Sequence, residues 1–553
     1  MERNGAQIVL ECLLEQGVDT IFGYPGGAVI PLYDALYSNK DRFTHILTAH
    51  EQGAVHGADG YARATGRVGV CFATSGPGAT NTVTGIATAY MDSVPIIVFT
   101  GQVSSGLIGR DSFQEIDITG ITLPITKHNY LVRDVNQLAD SIREAFEIAR
   151  SGRPGPVLID IPKDVFMAKT EYQAKDGELS TKPEINGPNY EQEIKEIVER
   201  INQAERPIIY AGGGVIHSEA AKELYEFAVK GDIPVVNTLM GLGGFSGKHR
   251  LFLGMVGMHG QKQANLAVTH SDLVIAVGAR FSDRVIGDAN KFAPKAKVIQ
   301  IDIDRAEIGK NKVVDYWLLG DVKEILQEIC QHIHKKDRKS WYEEINQWRI
   351  PEKADESEFH PRNILKVAQS ILEEDAIVVT EVGQNQMWTA QYWKFETPRT
   401  FLSSGGLGTM GYGLGAAIGA SLAFPERRIL HIAGDGCFRM NCNELATVAK
   451  YKIPLITLLL NNGTLGMVRQ WQKLFHDGRY AETDITQEVD YVKLAEAFGL
   501  CGSRVDTLEG LEEALKKAKE SRTATVIECV ISKDDCVFPI VPPGKPITDI
   551  ILE

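Results

Sequence analysis

Two polar motifs stand at the ends of two apolar runs in the last third of the chain. Residues 428–433 lead into Gly434-Asp435-Gly436, and residues 455–460 lead into Asn461-Asn462. Parallel strands that are joined by a helix end at the same edge of a sheet, so we expect Asp435 and Asn462 to meet although 27 positions separate them. A carboxylate and an amide oxygen, with a backbone carbonyl and phosphate oxygens, suit Mg²⁺ that holds a diphosphate. Either motif alone is more typical of a tight turn or a loop; the pair favours the metal site.

The segment between these runs predicts the connecting helix. Asn441 and Glu444 have the spacing of a capping box, in which two side chains satisfy free N–H groups at a helix start. Leu445, Val448 and Ala449 follow at positions that share one helix face. The pattern therefore predicts a unit of strand, helix and strand.

The first third of the chain carries an acidic residue between glycine-rich segments. Glu51 lies in residues 49–54 at a predicted junction of strand and helix, and glycines cluster in residues 23–28 and 75–81. Two interpretations are open for Glu51. It is either an exposed acid that the helix dipole stabilises, or a carboxylate in an apolar pocket that shares a proton with a ligand nitrogen.

These residues are distributed over a chain whose pattern predicts several domains. Short β-branched strands alternate with amphipathic segments of helix length, which predicts α/β architecture with doubly wound parallel sheets. We draw three modules: module one at residues 1–169, module two at 192–335 and module three at 360–531. Polar stretches at 170–191 and 336–359 are predicted linkers, and a proline-containing tail covers 532–553. Modules one and three could share a fold, which the sequence alone does not establish.

The composition is typical of a soluble globular protein, with 44% hydrophobic and 24% charged residues. The 58 basic and 72 acidic residues give a net charge of −14, which disfavours binding to nucleic acid or to an anionic membrane surface. No apolar run reaches the roughly 18 residues of a membrane-spanning helix, and the N-terminus lacks a signal-peptide pattern. Eight cysteines without a Cys-x-x-Cys pair predict reduced thiols. Together these features predict a cytoplasmic protein.

The two polar motifs together resemble the signature of thiamine diphosphate enzymes. Residues 23–28, 49–54 and 75–81 are similar to the pyrimidine-binding domain of that superfamily. The resemblance implies that modules one, two and three are a pyrimidine-binding domain, a middle FAD-binding domain and a diphosphate-binding domain. It also implies that Glu51 bonds to N1′ of the aminopyrimidine, so that the 4′-nitrogen of the cofactor can take the thiazolium C2 proton.

Longer segments resemble the catalytic subunits of acetohydroxyacid synthases, also called acetolactate synthases. The similar segments are residues 101–103, 111–115, 126–129, 151–156, 162–164, 257–260, 278–284, 383–388, 466–471 and 538–544. The resemblance implies decarboxylation of pyruvate on thiamine diphosphate and transfer of the hydroxyethyl carbanion to a second 2-oxo acid. The products would be 2-acetolactate or 2-aceto-2-hydroxybutyrate, in branched-chain amino acid biosynthesis.

The resemblance also implies roles for individual residues at the reaction centre. Asp435, Asn462 and the backbone carbonyl of Thr464 would bind Mg²⁺. Glu51, Phe113, Gln114 and Lys163 would be the catalytic residues from module one. The residues implied for binding thiamine diphosphate are Pro25, Gly26, Gln384, Asn385, Gly408, Met410, Gly436 and Cys437. Of these, Met410 would wedge beneath the cofactor, and Asn385 replaces a histidine that is usual in the family.

A second set of residues is implied for the flavin and for the acceptor substrate. Arg284 would hold the carboxylate of the second 2-oxo acid, and Met467, Val468 and Trp471 would shape its pocket. Ser282 stands where the family usually has an acidic residue. The residues implied for FAD are Gly212, Gly213, Gly214, Met258, His259, Gly260, Arg280 and Asp302.

The resemblance further implies small-molecule 2-oxo acids as substrates and a homodimer or homotetramer as the assembly. A regulatory small subunit is a further partner that it allows. The alternative functions are an FAD-dependent pyruvate oxidase and another thiamine diphosphate-dependent 2-oxo acid decarboxylase. Neither needs an acceptor pocket with Arg284 and Trp471, so the acetolactate synthase interpretation is favoured. The preference between pyruvate and 2-oxobutyrate, regulation and herbicide sensitivity are not predicted.

Overall fold

The computed structural model describes residues 1–175, 190–350, 357–486 and 489–552. Most of the first predicted linker (176–189) and part of the second (351–356) lie outside the described residues. The described chain forms three sheets of six strands, and every strand pair within these sheets is parallel. The predicted architecture of three α/β domains with parallel sheets is therefore confirmed.

Module one contains eight strands and eight α-helices. The strands are β1 (Glu2–Asn4), β2 (Thr20–Gly23), β3 (Thr44–Leu47), β4 (Gly69–Ala73), β5 (Ile96–Gln102), β6 (His128–Leu131), β7 (Val157–Pro162) and β8 (Lys169–Glu171). The helices are α1 (Gly5–Glu15), α2 (Ile30–Tyr37), α3 (Glu51–Thr65), α4 (Pro77–Thr80), α5 (Val83–Asp92), α6 (Ile118–Thr122), α7 (Val135–Arg150) and α8 (Lys163–Met167). Its main sheet has the order β3-β2-β4-β5-β7-β6, while β1 and β8 pair separately and antiparallel.

Module two contains six strands and six α-helices, and a seventh helix, α15 (Lys339–Gln347), follows it in the second predicted linker. The strands are β9 (Pro207–Ala211), β10 (Val235–Asn237), β11 (Phe252–Met255), β12 (Leu273–Val277), β13 (Lys297–Asp302) and β14 (Tyr316–Leu319). The helices are α9 (Tyr190–Gln203), α10 (Gly213–His217), α11 (Ala221–Gly231), α12 (Lys262–His270), α13 (Asp283–Ile286), α14 (Val322–His332) and α15 (Lys339–Gln347). The order β11-β10-β9-β12-β13-β14 is the 3-2-1-4-5-6 arrangement of dinucleotide-binding folds, with a crevice where β9 and β12 diverge.

Module three contains six strands and eight α-helices. The strands are β15 (Ile377–Thr380), β16 (Phe401–Leu402), β17 (Ile429–Gly434), β18 (Ile456–Asn461), β19 (Cys501–Val505) and β20 (Thr525–Val530). The helices are α16 (Pro361–Ile371), α17 (Gln384–Tyr392), α18 (Gly413–Ala423), α19 (Asp435–Asn441), α20 (Leu445–Tyr451), α21 (Gly466–Phe475), α22 (Tyr491–Ala497) and α23 (Leu508–Ser521). Its sheet has the order β16-β15-β17-β18-β20-β19.

Modules one and three share one strand order. When the strands of each main sheet are numbered along the chain, both sheets read 2-1-3-4-6-5. The central strands are apolar and buried on both faces, as is typical of parallel sheets covered by helices. The relation that the sequence left open is therefore present in the topology.

The segments outside the modules also pack against them. Helix α15 lies in the second predicted linker, and its residues Trp341 and Ile345 are buried in a core of module two. In the tail, the backbone N–H of Val541 donates to Met258 O at 2.8 Å, and Val537 pairs with Gln470 of α21. The tail thus contacts modules two and three. The boundaries drawn from the sequence remain a prediction.

Helices α3 and α18 join modules one and three into one core. They approach closely because glycines stand at the crossing. A Cβ on Gly60 would collide with Ala416 O, and a Cβ on Gly419 would collide with Gly57 O. Close backbone contact of this kind leaves no room for a side chain, so both helices depend on glycine here.

A buried ion network lies beside this crossing. Arg63 of α3 donates to Asp59 at 2.6 Å, to Asp92 at 3.0 Å and to Ser403 O at 3.0 Å. Asp92 also accepts the backbone N–H groups of Gly405 and Gly406. Each charge therefore has a partner, which a buried ion requires. Module one thereby holds the loop that precedes Met410.

Within the described ranges, the longest helices are too short or too polar to cross a membrane. The eight cysteines are all free.

We predict that Gly419→Ala loosens the contact between modules one and three. The added methyl group overpacks the crossing, a change that costs about 1–3 kcal/mol in a packed core. The measurement is the thermal unfolding midpoint, with Gly106→Ala as the control because no atom lies within 4 Å of a Cβ at that exposed position. Equal midpoints for the two variants would contradict the assigned helix contact.

Candidate functional site

The structure brings Asp435 and Asn462 together at the carboxyl edge of the sheet in module three. Asp435 begins α19 directly after β17, and Asn462 follows β18, the neighbouring strand. The backbone N–H groups of Asp435, Gly436, Asn462 and Gly463 lie near the Asp435 carboxylate. Burial raises the pKa of Asp435 to about 6, while these N–H groups act in the opposite direction. A divalent cation would offset the cost of burying this charge.

A narrow cleft at this edge contains most of the residues predicted for the diphosphate and metal. Its predicted members are Gln384, Asn385, Met410, Asp435, Gly436, Cys437, Asn462, Thr464, Met467 and Val468. The oxygen Oδ1 of Asn385 is buried and has no hydrogen-bond partner within the described structure. An orphaned buried amide is costly, so it fits a position that faces a polar ligand. Gln384, in contrast, bonds only to protein groups in the contacts seen here.

The loop that carries Met410 is held by groups which the sequence analysis did not identify. Glu381, the residue after β15, accepts the backbone N–H of Gly411 at 2.8 Å and that of Gly413 at 2.9 Å. Asn441 donates its side-chain amide to Gly411 O. Both side chains are buried, so Met410 lies at the cleft on a loop fixed from two sides. In the sequence, the only indication of this role of Glu381 is its position directly after the residues that form β15.

Glu51 is the first residue of α3 and is only 9% exposed. Its Oε2 accepts a hydrogen bond from Asn81 Nδ2 at 3.0 Å. The interpretation of Glu51 as an exposed helix-terminal acid is therefore wrong, because α4 and the loop after it cover the carboxylate. Asn81 belongs to the glycine-rich segment 75–81, but its contact with Glu51 could not be read from the sequence.

The capping box predicted at Asn441 and Glu444 is wrong. Glu444 is buried, and its carboxylate accepts the backbone N–H groups of Ala49 at 3.1 Å and His50 at 3.0 Å. Thr447 Oγ1 donates to the same carboxylate at 2.6 Å. Glu444 thus bonds to module one as well as to Thr447 of the helix that follows it, and it supports the segment immediately before Glu51.

The other residues predicted from module one lie at the carboxyl edge of its sheet. Gly26 follows β2 and packs on Thr74, Gln114 packs on Gly76, and Lys163 follows β7. Phe113 is 88% exposed. None of the predicted module-one residues, namely Pro25, Gly26, Glu51, Phe113, Gln114 and Lys163, lines the module-three cleft in the described chain. One chain therefore carries two separate halves of the predicted site.

A large cavity of about 1300 Å³ lies where the three modules meet. It is larger than the about 300–1,000 Å³ of common ligand sites. Most residues predicted for the flavin line it: Gly212, Gly213, Gly214, Met258, His259, Arg280 and Asp302. Gly260 does not line this cavity, and its N–H instead closes a turn onto Gly257 O. Gly408 and Ser282 also line it.

The cavity begins at the crevice of the module-two sheet. Gly212 follows β9, Gly278 follows β12, and a Cβ on Gly212 would collide with Gly278 O. Asp302 ends β13, and burial raises its pKa to about 6. His259 is buried, which lowers its pKa to about 4 and leaves the ring neutral. Among the residues predicted for the flavin, the walls thus include backbone groups, the Asp302 carboxyl group, the neutral His259 ring and Arg280, whose Nη1 donates to Met91 O at 2.7 Å.

The predicted acceptor residues lie together where the cavity reaches module three. The Arg284 guanidinium lies 5.7 Å from the ring centroid of Trp471, and its Nη1 is 3.8 Å from Met258 Sδ. Met467 lines both the cavity and the narrow cleft. A cation, an indole wall and a thioether therefore adjoin the cleft, an arrangement that suits a small carboxylate with an apolar group.

Three family models match this chain. They are the thiamine pyrophosphate enzyme N-terminal TPP binding domain over residues 3–121, the central domain over 194–329, and the C-terminal TPP binding domain over 381–529. Thiamine pyrophosphate is another name for thiamine diphosphate. The three matches occur in the order expected from the sequence.

Curated relatives match almost the whole chain. A probable acetolactate synthase large subunit of Methanocaldococcus jannaschii is 47% identical over 565 residues, which cover 99% of this chain and 95% of the relative. The acetolactate synthase large subunit of Corynebacterium glutamicum is 46% identical over 570 residues, covering 99% and 90%. An acetolactate synthase of Mycobacterium bovis is 47% identical over 564 residues, covering 98% and 90%. This chain therefore belongs to the acetolactate synthase large subunit family of thiamine pyrophosphate enzymes.

Proposed function

We propose that the protein condenses pyruvate with a second 2-oxo acid to form 2-acetolactate or 2-aceto-2-hydroxybutyrate, with loss of carbon dioxide. The observation that carries the proposal is the arrangement where modules two and three meet: the cleft with Asp435 and Asn462 adjoins a pocket with Arg284 of module two and Trp471 of module three. A decarboxylase alone needs the first element but not the second. The family to which the chain belongs supports the same reaction.

The donor set of the cleft fits Mg²⁺ and a diphosphate. Asp435 offers a carboxylate, Asn462 an amide oxygen and Thr464 a backbone carbonyl, and oxygen ligands of this kind are the ones Mg²⁺ prefers. Among the described residues, no three His, Cys, Asp or Glu side chains form a metal cluster, so a thiolate or imidazole site is not the competing choice there. Thiamine diphosphate, when bound, would supply an acidic carbon whose conjugate base adds to the keto group of the substrate, and a cationic ring that takes up the electron pair released on decarboxylation.

Glu51 would act on the pyrimidine end of this cofactor. Its carboxylate is buried and oriented by Asn81, so it is placed to hold a proton against a ring nitrogen. A buried carboxylate interacts more strongly with such a partner than an exposed one, because little water competes. Glu51 would therefore handle the proton, and Phe113, Gln114 and Lys163 would border the reacting substrate.

We also propose that two chains complete each site. Glu51 does not line the cleft that contains Asp435 in the same chain. Apolar side chains are exposed around both halves, with Phe113 88% exposed and Val468 49% exposed. Exposed apolar patches mark interaction surfaces. A homodimer that places module one of one chain against module three of the other would cover these side chains and unite the halves; a homotetramer would pair two such dimers.

The cavity of module two fits FAD. A 3-2-1-4-5-6 sheet, close glycines at its crevice and an acidic residue at a strand end suit a dinucleotide. The proposed condensation leaves the number of electrons in the substrates unchanged, so the flavin would have no net redox task. Its role would be to order Met258 and Arg280 beside the acceptor pocket.

Two of the relatives are named as large subunits, which supports a regulatory small subunit as a further partner of this chain. No surface within the described residues identifies where it binds. A cytoplasmic location stays a prediction from composition.

The proposed reaction predicts acetolactate without oxygen consumption. Purified protein supplied with Mg²⁺, thiamine diphosphate, FAD and pyruvate should release one carbon dioxide for each two pyruvates and form acetolactate. Exchange of FAD for a redox-inert analogue of the same shape should preserve turnover. The measurements are acetolactate content and oxygen uptake in one reaction. Oxygen uptake that matches pyruvate loss, together with inactivity of the analogue, would establish a pyruvate oxidase instead.

The shared site predicts complementation between two inactive variants. Glu51→Gln removes the carboxylate of one half, and Asp435→Ala removes the metal ligand of the other. After subunit exchange, mixed dimers should regain one intact site each, so up to about a quarter of the native activity should return under random pairing. Mass spectrometry of differently tagged chains checks the exchange. If mixed dimers form and stay inactive, both halves belong to one chain.

The acceptor pocket predicts that substitutions of Trp471 and of Arg284 affect the products in different ways. Trp471→Leu removes an indole wall, and contact with one methyl group is worth about 1–3 kcal/mol, so selection of 2-oxobutyrate over pyruvate should fall about 10- to 100-fold. Acetolactate formation should continue. Arg284→Ala should lose both products, because the acceptor carboxylate loses a charge-assisted partner. Product ratios from mixed substrates test this, and an unchanged ratio in Trp471→Leu would place the pocket elsewhere.

A further inference from the structure

Three side-chain amides form a hydrogen-bonded chain from the tail to the cleft. Gln470 of α21 accepts the backbone N–H of Val537 at 2.8 Å and donates to Val537 O at 2.9 Å. Gln384 Nε2 donates to Gln470 Oε1 at 3.2 Å and to Asp535 O at 2.8 Å. Asn462 Nδ2 donates to Gln384 Oε1 at 3.1 Å. Gln470, Gln384 and Asn462 are respectively 1%, 6% and 8% exposed.

The backbone groups of Val537, at the tail end of this series of hydrogen bonds, determine the direction of every bond in the series. A backbone N–H only donates and a carbonyl only accepts, so Val537 fixes which end of the Gln470 amide is oxygen. Gln470 and Asp535 O then require Gln384 to present its Nε2 to them. Its Oε1 consequently faces Asn462 and requires the Nδ2 of that side chain. A reversed amide at any step would set two donors or two acceptors against each other.

The consequence is an oriented Asn462. With Nδ2 bonded to Gln384, the oxygen Oδ1 is on the other side, where it accepts the backbone N–H of Thr464 at 3.2 Å. Asn462, Asp435 and Thr464 all line the narrow cleft. The start of α21 leaves room for this contact only because residue 466 is glycine, since a Cβ there would collide with Gln384 Oε1.

We propose that Gln470 is a positioning residue which, through Gln384, holds the oxygen rather than the nitrogen of Asn462 toward the metal. An amide that presents its NH₂ group cannot ligate a cation, so the orientation decides whether Asn462 is a ligand. Gln470 is itself oriented by its hydrogen bonds to Val537 of the tail. The affinity for the metal therefore depends on a tail that is docked on module three. The inference rests on the proposed Mg²⁺ site.

The test compares one substitution in two backgrounds. Mg²⁺ is titrated into protein with saturating thiamine diphosphate, and cofactor binding is followed by quenching of tryptophan fluorescence and by equilibrium dialysis. We expect Gln470→Leu to raise the half-saturating Mg²⁺ concentration about 10- to 100-fold, the usual effect of losing a group that orients a ligand. In an Asn462→Asp background it should change this concentration less than about twofold, because both carboxylate oxygens can ligate.

Gln369→Leu is the matched control. Gln369 donates to Lys394 O at 2.9 Å and accepts Lys394 N–H at 3.1 Å, the same paired contact that Gln470 makes with Val537. Its amide has no described path to Asn462, so we expect native Mg²⁺ dependence. Gln470→Met keeps the length of the side chain, lacks both amide groups and should behave as Gln470→Leu does, which guards against a variant that fails to fold.

The outcomes separate this inference from the function on which it rests. If Asp435→Ala keeps native Mg²⁺ dependence, the proposed metal site itself is wrong. If Asp435→Ala loses it while both Gln470 variants keep it, the positioning role is overturned. An equal rise in the native and Asn462→Asp backgrounds would also overturn it, because the effect would then be a loss of packing that does not pass through the Asn462 amide.

Discussion

The close crossing of α3 and α18 is the constraint on which the arrangement of the molecule depends. Helix α3 begins at Glu51, and α18 follows the loop that carries Met410. Glycines at the crossing let the two backbones touch, so modules one and three share a core instead of meeting through mobile side chains. Any increase in the distance between these helices would therefore displace Glu51, the first residue of α3, relative to the loop with Met410 that precedes α18.

Buried charge sets the specificity of that contact. Arg63, Asp59 and Asp92 are buried, and the network closes only when the loop at Gly405 and Gly406 is in place. Such a network adds little net stability compared with apolar packing, but a missing partner is expensive. It therefore favours one docking of module three on module one. Glu444 acts in the same way, because its buried carboxylate is satisfied mainly by the backbone before Glu51.

The candidate site uses few charged groups and many oriented neutral ones. Asp435 is the acidic group of the cleft, and Arg284 is the cation beside the acceptor pocket. Around them, amides, backbone carbonyls and a neutral His259 provide hydrogen-bonding groups whose direction is fixed by neighbours. A condensation that passes through a carbanion needs such a site, since loosely held water or mobile charges would supply protons at the wrong moment.

The sequence by itself determined the class of fold, the positions of the main strands and the residues at their ends. Alternation of apolar strands and amphipathic helices is a local property, and parallel strands must deliver their carboxyl ends to one edge, so Asp435 and Asn462 could be paired without coordinates. The tertiary structure alone decided the strand orders, the common 2-1-3-4-6-5 topology of modules one and three, and the separation of the two half-sites within one chain. It also decided that the Glu444 carboxylate binds module one, because the capping spacing is local whereas its backbone partners Ala49 and His50 lie about 395 positions away. The Asn81 to Glu51 contact and the relay from Val537 to Asn462 were likewise beyond the sequence, since a hydrogen bond between distant segments leaves no periodicity in either of them.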